Sequence, residues 1–142
     1  MEKVLARIST LTDAYKGRAL DMEKMLLMQR KLKLNNMPMI PADFVELLHQ
    51  YNSLSYDGSH LFGVEPRVGT DLDIVVENAL ASNPNRENIL ILGFDDVDYL
   101  VWNEKEELYQ TIDKCSFQMI NKYKDCETAL FDFLKLDDEY LC

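Results

Sequence analysis

A single α+β domain is the fold class this sequence predicts, and three observations carry it. Apolar residues recur at helical spacing in the N-terminal half. Three β-prone runs then crowd between residues 89 and 112, and an Asp-capped amphipathic stretch closes the chain. N-terminal helices, a central antiparallel meander and a C-terminal helix make an α+β domain. With 142 residues and 47% hydrophobic content, the chain can bury one core. No period of roughly 20–50 residues repeats. No low-complexity linker divides the chain either, so residues 1–142 read as one domain.

Residues 2–15 place Val4, Ile8, Leu11 and Tyr15 on one helical face, with Gly17 positioned as a stop. A second helix is predicted from about Leu20 to Leu32. It carries Met22, Met25, Leu26 and Met28 toward one side and Lys24, Arg30, Lys31 and Lys33 elsewhere. Met-rich surfaces suit varied partners, but at helical spacing the core reading comes first. Asn35-Asn36-Met37-Pro38 reads as a break.

In IPADFVELLHQYN, residues 40–52, Pro41 suits the first helical position and Asp43 meets the positive end of the helix dipole. Phe44, Leu47, Leu48 and Tyr51 then share a face. Asn52 ends this helix, a turn is centred on Asp57-Gly58, and HLFGV (60–64) is a short strand that stops before Pro66. Asp71–Ala81 is read as a helix with Leu72, Val75, Val76, Ala79 and Leu80 inward, closed by Asn83-Pro84-Asn85. The runs Ile89–Phe94, Val97–Trp102 and Leu108–Ile112 form the meander, which Cys115–Ile120 can extend. Asp125 can cap a last helix in which Cys126, Ala129, Leu130 and Phe133 share a face, and an acidic tail after it is expected to be loose.

Charge is unevenly distributed. Residues 1–35 hold eight basic and four acidic side chains, a net of +4. The other 107 hold seven basic and twenty-one acidic, a net of −14, which together give −10. Such a field serves solubility first, repels nucleic acid, and draws in basic partners. No apolar run approaches the roughly 20 residues of a membrane helix. The first twenty residues carry charges throughout and lack a secretory apolar core, so the expectation is a soluble protein of the cytoplasm, with no membrane partner. Three irregularly spaced cysteines do not make a disulfide framework.

The stretch LILGFDDVDYLVW, residues 90–102, raises the question of chemistry. Counted from Asp96, Asp98 fits the third position of a calcium loop, but Leu100 and Val101 fall where a ligand and a glycine belong. A glycosidase-like acid pair needs one carboxylate in a dry pocket, whereas neighbours on a turn are solvated. A hairpin tip between two apolar strands must be polar in any case. The two histidines, His49 and His60, form no zinc spacing with the cysteines, and no phosphate-cradling glycine motif is present. A Cys–His couple formed in space is not something spacing can decide. The expectation is a non-enzymatic chain with no cofactor and no metal.

A surface remains. Tyr56, Tyr99, Trp102 and Tyr109 lie along the chain near Asp57, Asp96, Asp98, Glu104, Glu106 and Glu107. Rings can anchor a basic protein face while acids steer it, although the same rings, Trp102 above all, can equally belong to the core.

The order of elements resembles the SUKH superfamily, and within it the YrhA-like bacterial members, related to the fungal cell-wall assembly regulators. The family's proline-acid-aromatic helix start, followed by leucine and asparagine, is matched by Pro41, Asp43, Phe44, Leu47 or Leu48, and Asn52. Its apolar strand ending in glycine and an acid, then a second strand with aromatics, is matched by Gly93, Asp95, Tyr99 and Trp102. Ser53 stands where the family often has glycine; the likeness covers about residues 20–136, with the first helix outside it.

The resemblance implies a binding module, in many bacterial members an immunity protein that neutralises a cognate toxin, often a nuclease. The expected partner is therefore a basic protein, a toxin, docked on Tyr56, Asp57, Asp95, Asp96, Asp98, Tyr99, Glu104, Glu106 and Glu107. The alternative is a regulatory or scaffold adaptor holding a non-toxin partner, with the N-terminal helix (residues 1–18) as its site.

Overall fold

The structure, a computed structural model, describes residues 1–64, 73–80 and 85–136. Among these residues the chain forms five helices and one antiparallel sheet of seven strands in sequential order. The α+β class is thus observed. The elements are α1 (Glu2–Ser9), β1 (Tyr15–Lys16), α2 (Met22–Leu34), α3 (Ala42–Gln50), β2 (Leu54–Tyr56), β3 (Ser59–Leu61), α4 (Ile74–Leu80), β4 (Ile89–Phe94), β5 (Asp98–Asn103), β6 (Leu108–Asp113), β7 (Met119–Tyr123) and α5 (Cys126–Phe133).

Helix α1 is shorter than the predicted 2–15. Val4, Leu5 and Ile8 are buried, but Tyr15 leaves the helix and pairs with Ser55 as an edge strand. Gly17 does not act as a helix stop. It lies so close to Asn52 that a Cβ would overlap the Asn52 carbonyl, and its N–H donates to Ser53 O at 2.8 Å. Nor is α1 an appendage, since the Val4 N–H donates to Glu127 Oε2 at 2.9 Å and the N-terminal ammonium lies 3.4 Å from the same oxygen. These contacts fix α1 against α5.

Helix α2 starts where Asp21 accepts from the Glu23 N–H, and ends where Asn36 takes φ +57°. There the Met37 N–H reaches Leu32 O at 3.0 Å, which satisfies an orphan carbonyl at the helix end. Met25, Met28 and Leu32 face inward, whereas Met22 and Leu26, expected beside them, are exposed. Gln29 clamps the segment that follows, donating to Ile40 O at 2.8 Å and accepting from Ile40 N at 2.7 Å.

Helix α3 buries Phe44, Leu47 and Leu48 as the periodicity requires, with Tyr51 half-buried. After it, Asn52 bonds Val64 in both directions, Nδ2 to O at 2.8 Å and Oδ1 from N at 2.7 Å. Ser53 takes φ +88°, the left-handed region that glycine adopts at no steric cost, so serine keeps the backbone conformation glycine would favour. The turn at Asp57-Gly58, with φ +49° and +84°, closes a hairpin between β2 and β3; β2 itself was not foreseen. Pro66, Asp71 and Leu72, the boundary Ala81-Asn83-Pro84 and the tail 137–142 lie outside the described residues, as does the Leu80 side chain.

Helix α4 turns a different face inward from the one predicted. Ile74 and Asn78 are buried, while Val76 is exposed. Asn78 takes the place of a strand neighbour. Its Nδ2 donates to Ile91 O and its Oδ1 accepts from Ile91 N, both at 2.8 Å, with a further bond from Nδ2 to Ile74 O. Strand β3 ends at Leu61, and the last bond on that side runs from the Phe62 N–H to Leu92 O, so the amide supplies the pairing that Ile91 lacks there. Next to it the β4–β5 register shifts between Ile91 and Gly93. Leu90, Ile91 and Leu92 are all buried, which means that both faces of β4 are covered.

The fourth predicted run is displaced. Residues 114–116 are a turn and β7 begins at Met119, forming one edge of the sheet with its residues largely exposed. Helix α5 meets the prediction fully. Asp125 accepts from the Thr128 N–H at 2.7 Å, and Cys126, Ala129, Leu130 and Phe133 are buried. The tail's first residue, Leu136, is buried too, held by an N–H bond to Phe131 O.

Candidate functional site

In a meander, successive turns fall at alternate ends of the sheet, and this divides the nine candidate residues into two groups. His60 pairs with Phe94 and Asp98 with Asp113. The turns at 57–58, 95–97 and 114–118 therefore share one rim. Asn103 pairs with Leu108, so Glu104, Glu106 and Glu107 sit at the other end of β5, five residues or roughly 17 Å away. Tyr56, Asp57, Asp95, Asp96, Asp98 and Tyr99 are brought together; the three glutamates and Trp102 are not. Trp102 is half-buried and stacks on Tyr109 with centroids 4.8 Å apart.

The rim gains residues that local sequence reading missed. Asp113 faces Asp98 across the strand pair, and Lys114 and Phe117 follow in the next turn. Five carboxylates (Asp57, Asp95, Asp96, Asp98 and Asp113) and one ammonium leave a formal net of −4. Among the described residues, Lys114 pairs with no carboxylate. Its Nζ donates to the Asp95 carbonyl at 3.0 Å and lies 4.9 Å from the centre of the Phe94 ring and 5.9 Å from that of Tyr99. Phe117 stacks on Tyr99 at 5.8 Å, and His60 on Phe94 at 5.0 Å while bonding Ser55 Oγ at 2.7 Å. The rings are half-buried against the core, so they brace the rim more than they project from it.

The acids have different jobs. Asp95 Oδ1 accepts from the N–H groups of Val97 and Asp98 at 2.9 and 2.8 Å, which folds the β4–β5 turn on itself. Asp113 Oδ1 does the same for Cys115 and Ser116, both at 2.8 Å. Asp57 and Asp96 are exposed, as is Val97 at the tip. The backbone N–H of Ser116, then that of Cys115, hold the Asp113 carboxyl below its usual range. Asp98 is pushed up, first by burial and then by the charges of Asp95 and Asp113. Two facing carboxyls with opposite shifts could share acid–base work in a dry cleft. These two lie on an open rim.

Asp98 carries a testable cost. Its folded-state pKa is raised, so the folded protein binds the proton more tightly than the unfolded chain and ionisation destabilises the fold. Asp98→Asn is expected to stabilise the protein at neutral pH by roughly 0.2–1 kcal/mol, the scale of cross-strand charge pairs. That gain should vanish as pH falls through the raised value, and at about pH 3, below the usual Asp range, the variant and wild type should unfold alike in urea.

Among the described residues, no group of three or more His, Cys, Asp or Glu is placed to hold a metal ion. A groove of about 500 Å³ lies away from the rim, between β7 and α5, lined by Asn121, Lys122, Tyr123, Thr128, Phe131 and Asp132. There Tyr123 donates a short hydrogen bond to Asp132; burial and that bond push the phenol up to about 12, which keeps it a neutral donor. Cys126 is buried in the first turn of α5, and burial pushes its thiol up to about 12, far from a thiolate nucleophile; Cys115 is exposed. His49 is exposed on α3. Among the described residues no helix is long and apolar enough to cross a membrane. No protein-family model matches the chain, and no curated protein matches it.

Proposed function

We propose that this chain is a SUKH-type immunity protein: a non-catalytic module that acts in the cytoplasm and neutralises a cognate toxin by docking its acidic rim on the toxin's basic surface. The observation that carries the reading is the gathering of Asp57, Asp95, Asp96, Asp98 and Asp113 at one end of the sheet. The only ammonium among these turns is spent on a carbonyl and two rings. Such a rim raises the encounter rate with a cationic partner and disfavours anionic ones. An enzyme that handles polyanions, such as a nuclease, offers the complementary groove. Support also comes from the resemblance through Pro41, Asp43, Phe44, Asn52, Gly93 and Asp95.

The adaptor reading placed its partner on residues 1–18, but Val4, Leu5 and Ile8 are core and α1 is bonded to α5. Deleting that segment would test folding before binding.

Co-expression supplies the direct test. The neighbouring reading frame is expected to encode a large secreted protein with a C-terminal toxin domain. That domain should arrest growth when expressed alone and not when this chain is present, and the two should co-purify. Growth arrest that persists despite soluble, folded chain would refute the immunity reading.

A further inference from the structure

Helix α2 is apolar on two sides. Met25, Met28 and Leu32 fill the core, while Leu26, Leu27 and Leu34 are 67%, 64% and 77% exposed. Glu23, Leu26, Leu27, Arg30 and Leu34 follow i, i+3, i+4, i+7, i+11, so they form one outward stripe. The clamp from Gln29 to Ile40 draws the next segment along another flank and leaves the stripe uncovered. Three such leucines on one helix mark a contact surface rather than scattered exposure.

The charges in the stripe select the occupant. A helix lying on lipid keeps its charges to one side of an apolar face. Here Arg30 lies inside the stripe, between Leu27 and Leu34, and Glu23 lies one turn before Leu26 and Leu27. Glu23 and Arg30 have opposite signs and are symmetric about the Leu26–Leu27 midpoint. In a two-fold antiparallel pairing, residue numbers in contact have a constant sum. A sum of 53 sets Leu26 against the partner subunit's Leu27, and Glu23 against the partner subunit's Arg30, twice. A sum of 60 would oppose Arg30 to its own copy. A sum of 57 would seat Glu23 on a leucine. Charges beside an apolar seam choose partner, register and orientation in this way.

We propose that this chain self-associates through α2, antiparallel, with Leu26 and Leu27 at the two-fold axis and Glu23–Arg30 pairs on either side. The contact is one helix wide, at the small end of specific interfaces, so the dimer is reversible and concentration-dependent. It leaves the acidic rim free. The segment after α2 is tied to the opposite end of the sheet, where the Met39 N–H meets Glu104 Oε2 at 3.4 Å.

Sedimentation equilibrium of the full chain from about 5 to 500 µM is the test, a range that brackets a weak interface. The mass should rise from the 16.5 kDa of one chain toward that of two. Glu23→Arg and Arg30→Glu, both on exposed positions, should each weaken association about tenfold or more, and the double charge swap should restore it to within about threefold. One-chain mass throughout the range would overturn the proposal, and so would a double swap that associates no better than the single reversals. A chain that stays monomeric but sediments with phosphatidylserine vesicles would overturn it as well and assign the stripe to a lipid surface.

Discussion

Neutralising Asp57, Asp95 and Asp96 as asparagines should slow association with the cognate toxin domain by about tenfold or more at low salt, and change dissociation less. Asparagine is chosen over lysine because of the turn chemistry. Asp95 Oδ1 holds the Val97 and Asp98 N–H groups, and an amide oxygen can accept both bonds where an ammonium cannot. Asp57 sits at φ +49°, which asparagine tolerates and lysine resists. Asp96 is exposed and carries charge alone. Stopped-flow association, with thermal unfolding as a control for the fold, measures the effect. The matching variant at the other end, Glu104, Glu106 and Glu107 to glutamine, should leave the rate within about twofold when both variants are compared at about 0.15 M salt, where a Debye length of about 8 Å is shorter than the distance to the rim.

The largest loss of stability is expected from Asn78→Ala. The side chain is 2% exposed and makes three hydrogen bonds, two of them to the N–H and C=O of Ile91. Alanine would strand both groups of a fully buried residue, at about 1–3 kcal/mol each. A loss of about 3 kcal/mol in unfolding free energy follows, read as a lowered urea midpoint with the slope unchanged. Asn78→Asp should do no better. A carboxylate can accept from Ile91 N but presents a second acceptor to Ile91 O. A free-energy loss below about 0.5 kcal/mol for either variant would mean that β4 does not rely on this amide.

These residues show where the sequence was legible. Helices α3 and α5 were readable because each has a single apolar stripe: Phe44, Leu47 and Leu48 in one, Cys126, Ala129, Leu130 and Phe133 in the other. Periodicity placed Met25 and Met28 of α2 inward but set Met22 and Leu26 wrongly beside them, because apolar residues surround most of the helix. It failed for α4 as well, where a polar residue points inward because a strand end needs it. Tyr15 and Gly17 are drawn to the sheet by β2, about forty positions away, and no local pattern reports such a partner.

The site was partly legible, and the part that failed could have been read. A hairpin closed by residues 104–107 pairs residues whose numbers sum to 211, which sets Asp113 opposite Asp98 and puts the Glu104–Glu107 turn at the far end. Grouping acids by closeness along the chain ignored that alternation. Lys114 is different. Its Nζ reaches Phe94 and Asp95 across two strands, and only the folded sheet shows that it is spent there.

The rim is tested most directly by mapping backbone amide resonances of the isotope-labelled chain as its toxin domain is added. Shifts concentrated at Asp57–Gly58, Asp95–Asp98 and Asp113–Phe117, with Glu104–Glu107 unmoved, are the predicted result. Shifts confined to the Glu104–Glu107 turn, or to helix α2, would contradict it.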